Sequence, residues 1–230
     1  MKRICNLIKS DIKFQNKYGF HMLYLFFSLV YIGVLYVLPE NWRESASSLI
    51  IFSDPAMLGL IFIGAIVLFE KSERVLNSIA VSPVKISEYI ISKAISLALI
   101  STICGLLIAF LSGMKIANYL LFICGLFFGA SLFTCMGLVL GTRISTLNKF
   151  MITITPLIII ITLPVVVYQF WSSHPLWLLH PGCAVFELIS NRQEHTILAS
   201  IALIVWLVTL YLLSMKVVDK SIKSLGGAKI

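Results

Sequence analysis

The sequence predicts an all-α integral membrane protein of six transmembrane helices, and three observations carry the prediction. The chain is 59% hydrophobic and only 12% charged over 230 residues, too little polar character to cover a soluble domain of this size. The stretches 20–39, 94–114, 116–142, 150–186 and 195–215 contain no Asp, Glu, Lys or Arg, and a helix needs about 20 apolar residues to cross a hydrocarbon layer roughly 30 Å thick. In a six-span layout, 15 of the 18 lysines and arginines fall on one side. Lipid offers backbone groups no water, so only helices or closed barrels can cross it, and these continuous apolar runs lack the alternation of barrel strands.

Taken in order, residues 1–19 read as a cytoplasmic interfacial helix. Ile4, Leu7, Ile8 and Ile12 recur at helical spacing, with Lys2, Lys9 and Lys13 elsewhere on the wheel; the plainer alternative is a basic flank that only anchors topology. A six-span domain follows over 20–215, with spans at 20–38, 49–69, 90–111, 118–141, 150–170 and 195–215, and residues 216–230 form a basic cytoplasmic tail. Asp54–Pro55 marks the outer rim of the second span, because a carboxylate at a helix centre costs about 2.5–3.5 kcal/mol. Lys93 is placed to snorkel to the inner surface.

The charge split sets the orientation. Only Arg43, Lys115 and Arg192 lie on the sparse side, so the positive-inside rule places both termini in the cytoplasm. The net charge of +8 is then a topology signal, and no nucleic-acid partner is expected. The first apolar run, 20–38, exceeds the core of a signal peptide (about 7–15 residues), so no cleavable leader is expected. Of the five cysteines only Cys183 falls outside, which argues against a disulfide framework.

Between the second and third spans, Glu70, Glu73, Arg74 and Asn77 fall on a polar side and Val75, Leu76, Ile79 and Ala80 on an apolar one. Pro83 stops this helix, and Ser82–Pro83 reads as the cap and first residue of the next. The connection is therefore an amphipathic elbow on the cytoplasmic side, with a solvated loop as the alternative. Gly125-x-x-x-Gly129 and Gly137-x-x-x-Gly141 allow a close helix neighbour. Pro156 and Pro164 should bend the fifth span. The outer stretch 171–194 is apolar, broken by two His-Pro pairs, and reads as a re-entrant segment with Trp171 and Trp177 at the interface.

Equally informative is the chemistry that the sequence lacks. The four histidines have no metal-ligand spacing, and no nucleophile elbow or Walker A motif occurs, so no catalytic residue, metal site or cofactor is expected in this chain. Glu187 is the one carboxylate in an apolar context, and the spans offer no ionisable group at mid-membrane. A transport protein without its own energy coupling must draw on a partner, and the elbow is where that partner could push.

The stretch LFEKSERVLNSIAVSPVKISEYIISK resembles the segment after the second span of type-2 ABC exporter permeases, and HPLWLLHPGCAVFELI is similar to their re-entrant pair before the last span. The likeness covers roughly residues 54–190, and within the family it is nearest to fluoroquinolone-export-type permeases, with Val75 and Asn77 where Gly or Thr is usual. The resemblance implies a bacterial, multi-pass plasma-membrane exporter subunit that moves a lipophilic drug-like, peptide or lipid substrate. It implies a dimer with a second copy or paralogue, and a separate ATP-binding subunit that carries ATP and Mg. It also implies a path faced by the first, second and fifth spans. Glu70, Lys71, Glu73, Arg74, Leu76, Ile79 and Pro83 would form the coupling helix, the four charges touching the partner while Leu76 and Ile79 hold the lever. The alternatives are a six-span enzyme acting on lipid head groups through Glu187, and a membrane subunit of an uptake system.

Overall fold

Six helices long and apolar enough to span a membrane organise the chain, at Phe20–Val37, Glu40–Ser72, Ile86–Leu111, Tyr119–Gly141, Leu147–Phe170 and Thr196–Ile222. The computed structural model describes residues 2–80, 82–190, 192 and 194–225. Val81 of the elbow and the last five residues of the basic tail, Lys229 among them, lie outside the described residues. The elements are α1 (Lys2–Lys17), α2 (Phe20–Val37), α3 (Glu40–Ile51), a π-helical turn (Phe52–Ala56), α4 (Leu58–Ser72), α5 (Val75–Ala80) and α6 (Ile86–Leu111). They continue as α7 (Tyr119–Gly141), α8 (Leu147–Phe170), a 3-10 turn (Pro175–Leu179), α9 (Pro181–Ile189) and α10 (Thr196–Leu225).

The second span departs from expectation. It begins at Glu40, earlier than the expected 49, and runs through Asp54–Pro55 without stopping. Pro55 has no N–H to give the preceding turn, and the helix absorbs the defect as a single π turn, the usual form of that element. The Ser101 hydroxyl of α6 donates to the Pro55 carbonyl at 2.6 Å, satisfying a group that lipid could not. Asp54 thus lies inside a continuous helical segment, sixteen positions before Glu70, about 24 Å along the helix.

α4, α6 and α7 bury the most surface, and α2, α8 and α10 stand around them. The glycines of α7 make the close packing possible. A Cβ at Gly137 would stand 2.6 Å from the Leu60 carbonyl oxygen, and one at Gly129 would stand 2.6 Å from Val185 of α9. The two small-residue motifs thus serve contacts inside this chain, one against α4 and the other against α9. α8 passes through both Pro156 and Pro164 as one helix.

All nine residues of α9 are buried. It packs among α7, α8 and α10 as a short helix that does not cross, the arrangement that lets an interrupted backbone sit at membrane depth. Trp206 of α10 donates its indole N–H to the Leu179 carbonyl at 2.8 Å and closes the turn before it. Cys183, expected to face outside, is fully enclosed here.

Candidate functional site

The charged elbow lies at the end of the bundle that carries α1, the end of α7 and the end of α10. α4 closes when the Glu73 N–H donates to the Phe69 carbonyl at 2.9 Å, and the chain then turns through Arg74 at φ +58°. A non-glycine residue in the left-handed region costs on the order of 1–3 kcal/mol and persists only where its surroundings hold it. Here the turn separates α4 from the six-residue α5, so residues 70–80 are two helices set at an angle. Leu76 is buried and Ile79 half-buried beneath α5, while Glu73 and Arg74 are exposed.

Ser82 ends α5 rather than starting α6. Its N–H and hydroxyl both donate to the Ile79 carbonyl, at 3.1 and 2.9 Å. The cap of α6 is Lys85, whose N–H donates to the Glu88 carboxylate at 3.0 Å. Pro83 lies exposed between the helices, with its carbonyl accepting from Arg3 of α1 at 3.4 Å.

Two of the charges expected to meet a partner are used inside the chain. Glu70 is buried: one oxygen pairs with the Lys93 ammonium, and the other accepts from the Tyr89 hydroxyl at 2.7 Å. Lys71 donates to the carbonyls of Gly141, Thr142 and Ile144 at 3.0, 2.7 and 2.8 Å. It caps the C-terminal end of α7, where orphan carbonyls and the helix dipole both favour a cation. Glu73 and Arg74, by contrast, are exposed.

Lys93 is likewise not a snorkelling residue. Its side chain is 1% exposed and lies between Glu70 of α4 and Asp11 of α1, 2.5 Å from the latter. The Ser92 hydroxyl donates to the other Asp11 oxygen at 2.5 Å, and Gln15 donates to Ser96 at 3.0 Å. The ammonium also lies 5.4 Å from the Tyr89 ring and 5.8 Å from the Phe14 ring. α1 (Lys2–Lys17) is thus a helix clamped to α6 and α4 by a buried network with one formal negative charge in excess. The sequence signal for this was Asp11, the one acid on an otherwise basic helix.

A second contact ties α1 to the elbow. Tyr18 donates its hydroxyl to Glu73, Lys17 lies 3.8 Å from the same carboxylate, and the Tyr18 and Phe69 rings stack at 5.0 Å. The hydrogen bond to Glu73 pushes the Tyr18 phenol above its ordinary range. These contacts link the elbow to α1, which Asp11 in turn links to α6.

At the opposite end, Glu187 is fully buried and both its oxygens are occupied. The Tyr168 hydroxyl and the His195 backbone N–H each donate at 2.8 Å. Arg192 closes the same corner by donating to Ser173 at 2.9 Å and to the Gln169 carbonyl at 3.1 Å. Glu187 holds α8, α9 and the start of α10 together.

The model of the fluoroquinolones export permease protein family matches residues 2–222. Two fluoroquinolones export permease proteins of Mycobacterium tuberculosis, from strains CDC 1551 and H37Rv, are each 26% identical over 181 residues, which is 78% of this chain and 76% of theirs. The match reaches from α1 to α10 and so takes in the clamp, the elbow and the buried re-entrant helix. The chain belongs to the fluoroquinolones export permease protein family and is a multi-pass membrane permease of an export system.

Proposed function

We propose that the chain is the membrane-spanning subunit of an ATP-driven ABC exporter in a bacterial plasma membrane. ATP and Mg are held by a separate ATP-binding subunit, which docks on the elbow, and the permease works as a dimer with a second copy or a paralogue. Both termini face the cytoplasm, where the basic end of the bundle meets the positive-inside rule. The cargo is a lipophilic drug-like molecule, the class to which the relatives' name refers.

One observation carries the coupling assignment. Glu73 and Arg74 are exposed at a rigid corner whose neighbours on both sides, Lys71 and Leu76, are anchored in the bundle. Rigid-body closure of a partner needs a stiff lever, and this corner supplies one. Its anchors are Lys71 on α7, Glu70 on α6, and Tyr18 of α1 on Glu73 itself.

The test is the double substitution Glu73→Ala/Arg74→Ala in cells and in proteoliposomes containing the ATP-binding subunit. Membrane insertion should stay at the wild-type level while partner-dependent ATP hydrolysis and export fall together. Unchanged hydrolysis and export would defeat the assignment of the elbow. Failure of any ATP-binding subunit to co-purify with the solubilised chain would defeat the exporter reading as a whole.

A further inference from the structure

Beyond the elbow, the polar side chains that the structure gathers inside the apolar layer are unexplained by coupling. Tyr24, Ser28 and Tyr31 fall at i, i+4 and i+7 on α2, one face of the helix. That face is turned to the π-helical turn and to α6. Tyr24 is 2% exposed and packs among Leu58, Ile100 and Cys104, its ring edge-on to Phe62 at 4.8 Å. Ser28 is buried one turn on from Tyr24. The Tyr31 phenol and the Asp54 carboxylate stand near each other across the two helices. Tyr31 lies eleven residues into α2, about 16 Å along its axis, which is near the middle of a layer roughly 30 Å thick.

Three features of this cluster call for a ligand. Among the described residues no Lys, Arg or His pairs with Asp54, so the carboxylate has no counter-ion at a depth where one is needed. The Tyr24 hydroxyl is buried without any hydrogen-bond partner, although it stands close enough to Asp54 and Cys104 to interact with both electrostatically. Burying an unpaired hydroxyl costs free energy that a bound donor or acceptor returns. Third, Asp54 is only half-buried, with exposed Ser53 beside it, and it stands on a π turn, an element frequent at functional sites. A partly exposed carboxylate at this depth faces a cavity or another protein surface rather than lipid.

We infer that Asp54, Tyr31 and Tyr24 form an intramembrane binding site for the protonated amine of a transported lipophilic molecule. Asp54 supplies the charge and Tyr31 holds its carboxylate. The Tyr24 hydroxyl, the one unpaired group, accepts from the ammonium. The stacked rings of Phe27 and Tyr31, 6.3 Å apart, add apolar and cation–π surface for the rest of the molecule. That the amine belongs to cargo rests on the export reading; that the site takes an organic cation does not.

Binding is measured on the purified chain in nanodiscs, without any partner subunit, using the fluorescent primary amine dansylcadaverine and its N-acetylated, uncharged derivative. The wild-type chain should bind the charged probe at least about tenfold more tightly than the neutral one, a difference of about 1.4 kcal/mol. Asp54→Asn should abolish the preference and Asp54→Glu should keep part of it. Tyr24→Phe, which leaves the ring packing in place, should weaken the charged probe several-fold without affecting the neutral one. Equal affinity for the two probes, no saturable binding of either, or a preference that survives Asp54→Asn would overturn the inference. Intact preference in a chain that recruits no ATP-binding subunit would overturn the export reading and leave the site standing. Normal coupling with no preference would do the reverse.

Discussion

Lys93 is the single cation of a buried cluster, and its removal gives the sharpest test of how the bundle is held. In Lys93→Met the side-chain volume is nearly kept, but Asp11 and Glu70, with side chains 11% and 5% exposed, are left facing each other without a counter-ion. Breaking a buried pair by deleting one partner costs about 3–5 kcal/mol. Tyr89 and Ser92 still donate to the two carboxylates, which keeps the loss within that range rather than above it. The triple variant Asp11→Asn/Glu70→Gln/Lys93→Met neutralises the whole cluster and should come within about 1–2 kcal/mol of wild type, because no unpaired charge remains. Unfolding of the purified protein in mixed micelles, followed by tryptophan fluorescence, reads both values. Tryptic cleavage in α1 should accelerate in the single variant, since Asp11 is what clamps that helix to α6. A single variant within about 0.5 kcal/mol of wild type, below what loss of a buried pair allows, would refute the reasoning. So would a triple variant as unstable as the single one.

Two further predictions concern the packing. A side chain at Gly137 meets the Leu60 backbone, which cannot move aside as a flexible side chain could, so Gly137→Leu should destabilise by about 1–3 kcal/mol or more, whereas Gly33→Ala, with nothing near its Cβ, should be silent in the same unfolding assay. Glu187→Gln weakens the two bonds that join α8, α9 and α10 and should cost about 1–3 kcal/mol, with export falling only in proportion to the folded protein; loss of export at full stability would make Glu187 a functional group instead.

The spans were legible in the sequence because insertion depends on local apolar content, which needs no knowledge of neighbours. Six apolar helices were expected, and six are found among the described residues, the last running on through Leu225. The second starts earlier than its apolar run suggests. Asp54–Pro55 reads locally as a stop, but Ser101, 46 residues away, takes the Pro55 carbonyl and lets the helix continue. The polar stripe of Tyr24, Ser28 and Tyr31 was visible at helical spacing, yet nothing in the sequence says that it faces a carboxylate on another helix.

The elbow shows the same division. That residues 70–83 are charged, partly helical and stopped near Pro83 follows from composition and proline chemistry alone. Which charges point outwards does not. Glu70 and Lys71 look as available as Glu73 and Arg74 until their partners are seen: Lys93, 23 residues on from Glu70, and the carbonyls at the end of α7, some 70 residues on from Lys71. The sequence by itself determined a polytopic helical protein, its apolar spans and the asymmetry of its charge, since hydropathy and net charge add up residue by residue. Only the tertiary structure decided which polar groups are spent on holding the bundle, as Glu70, Lys71 and Glu187 are, and which, like Arg74, stay exposed. A charge buried in a low-dielectric interior is governed by the few atoms within a few ångströms of it, and those come from distant parts of the chain.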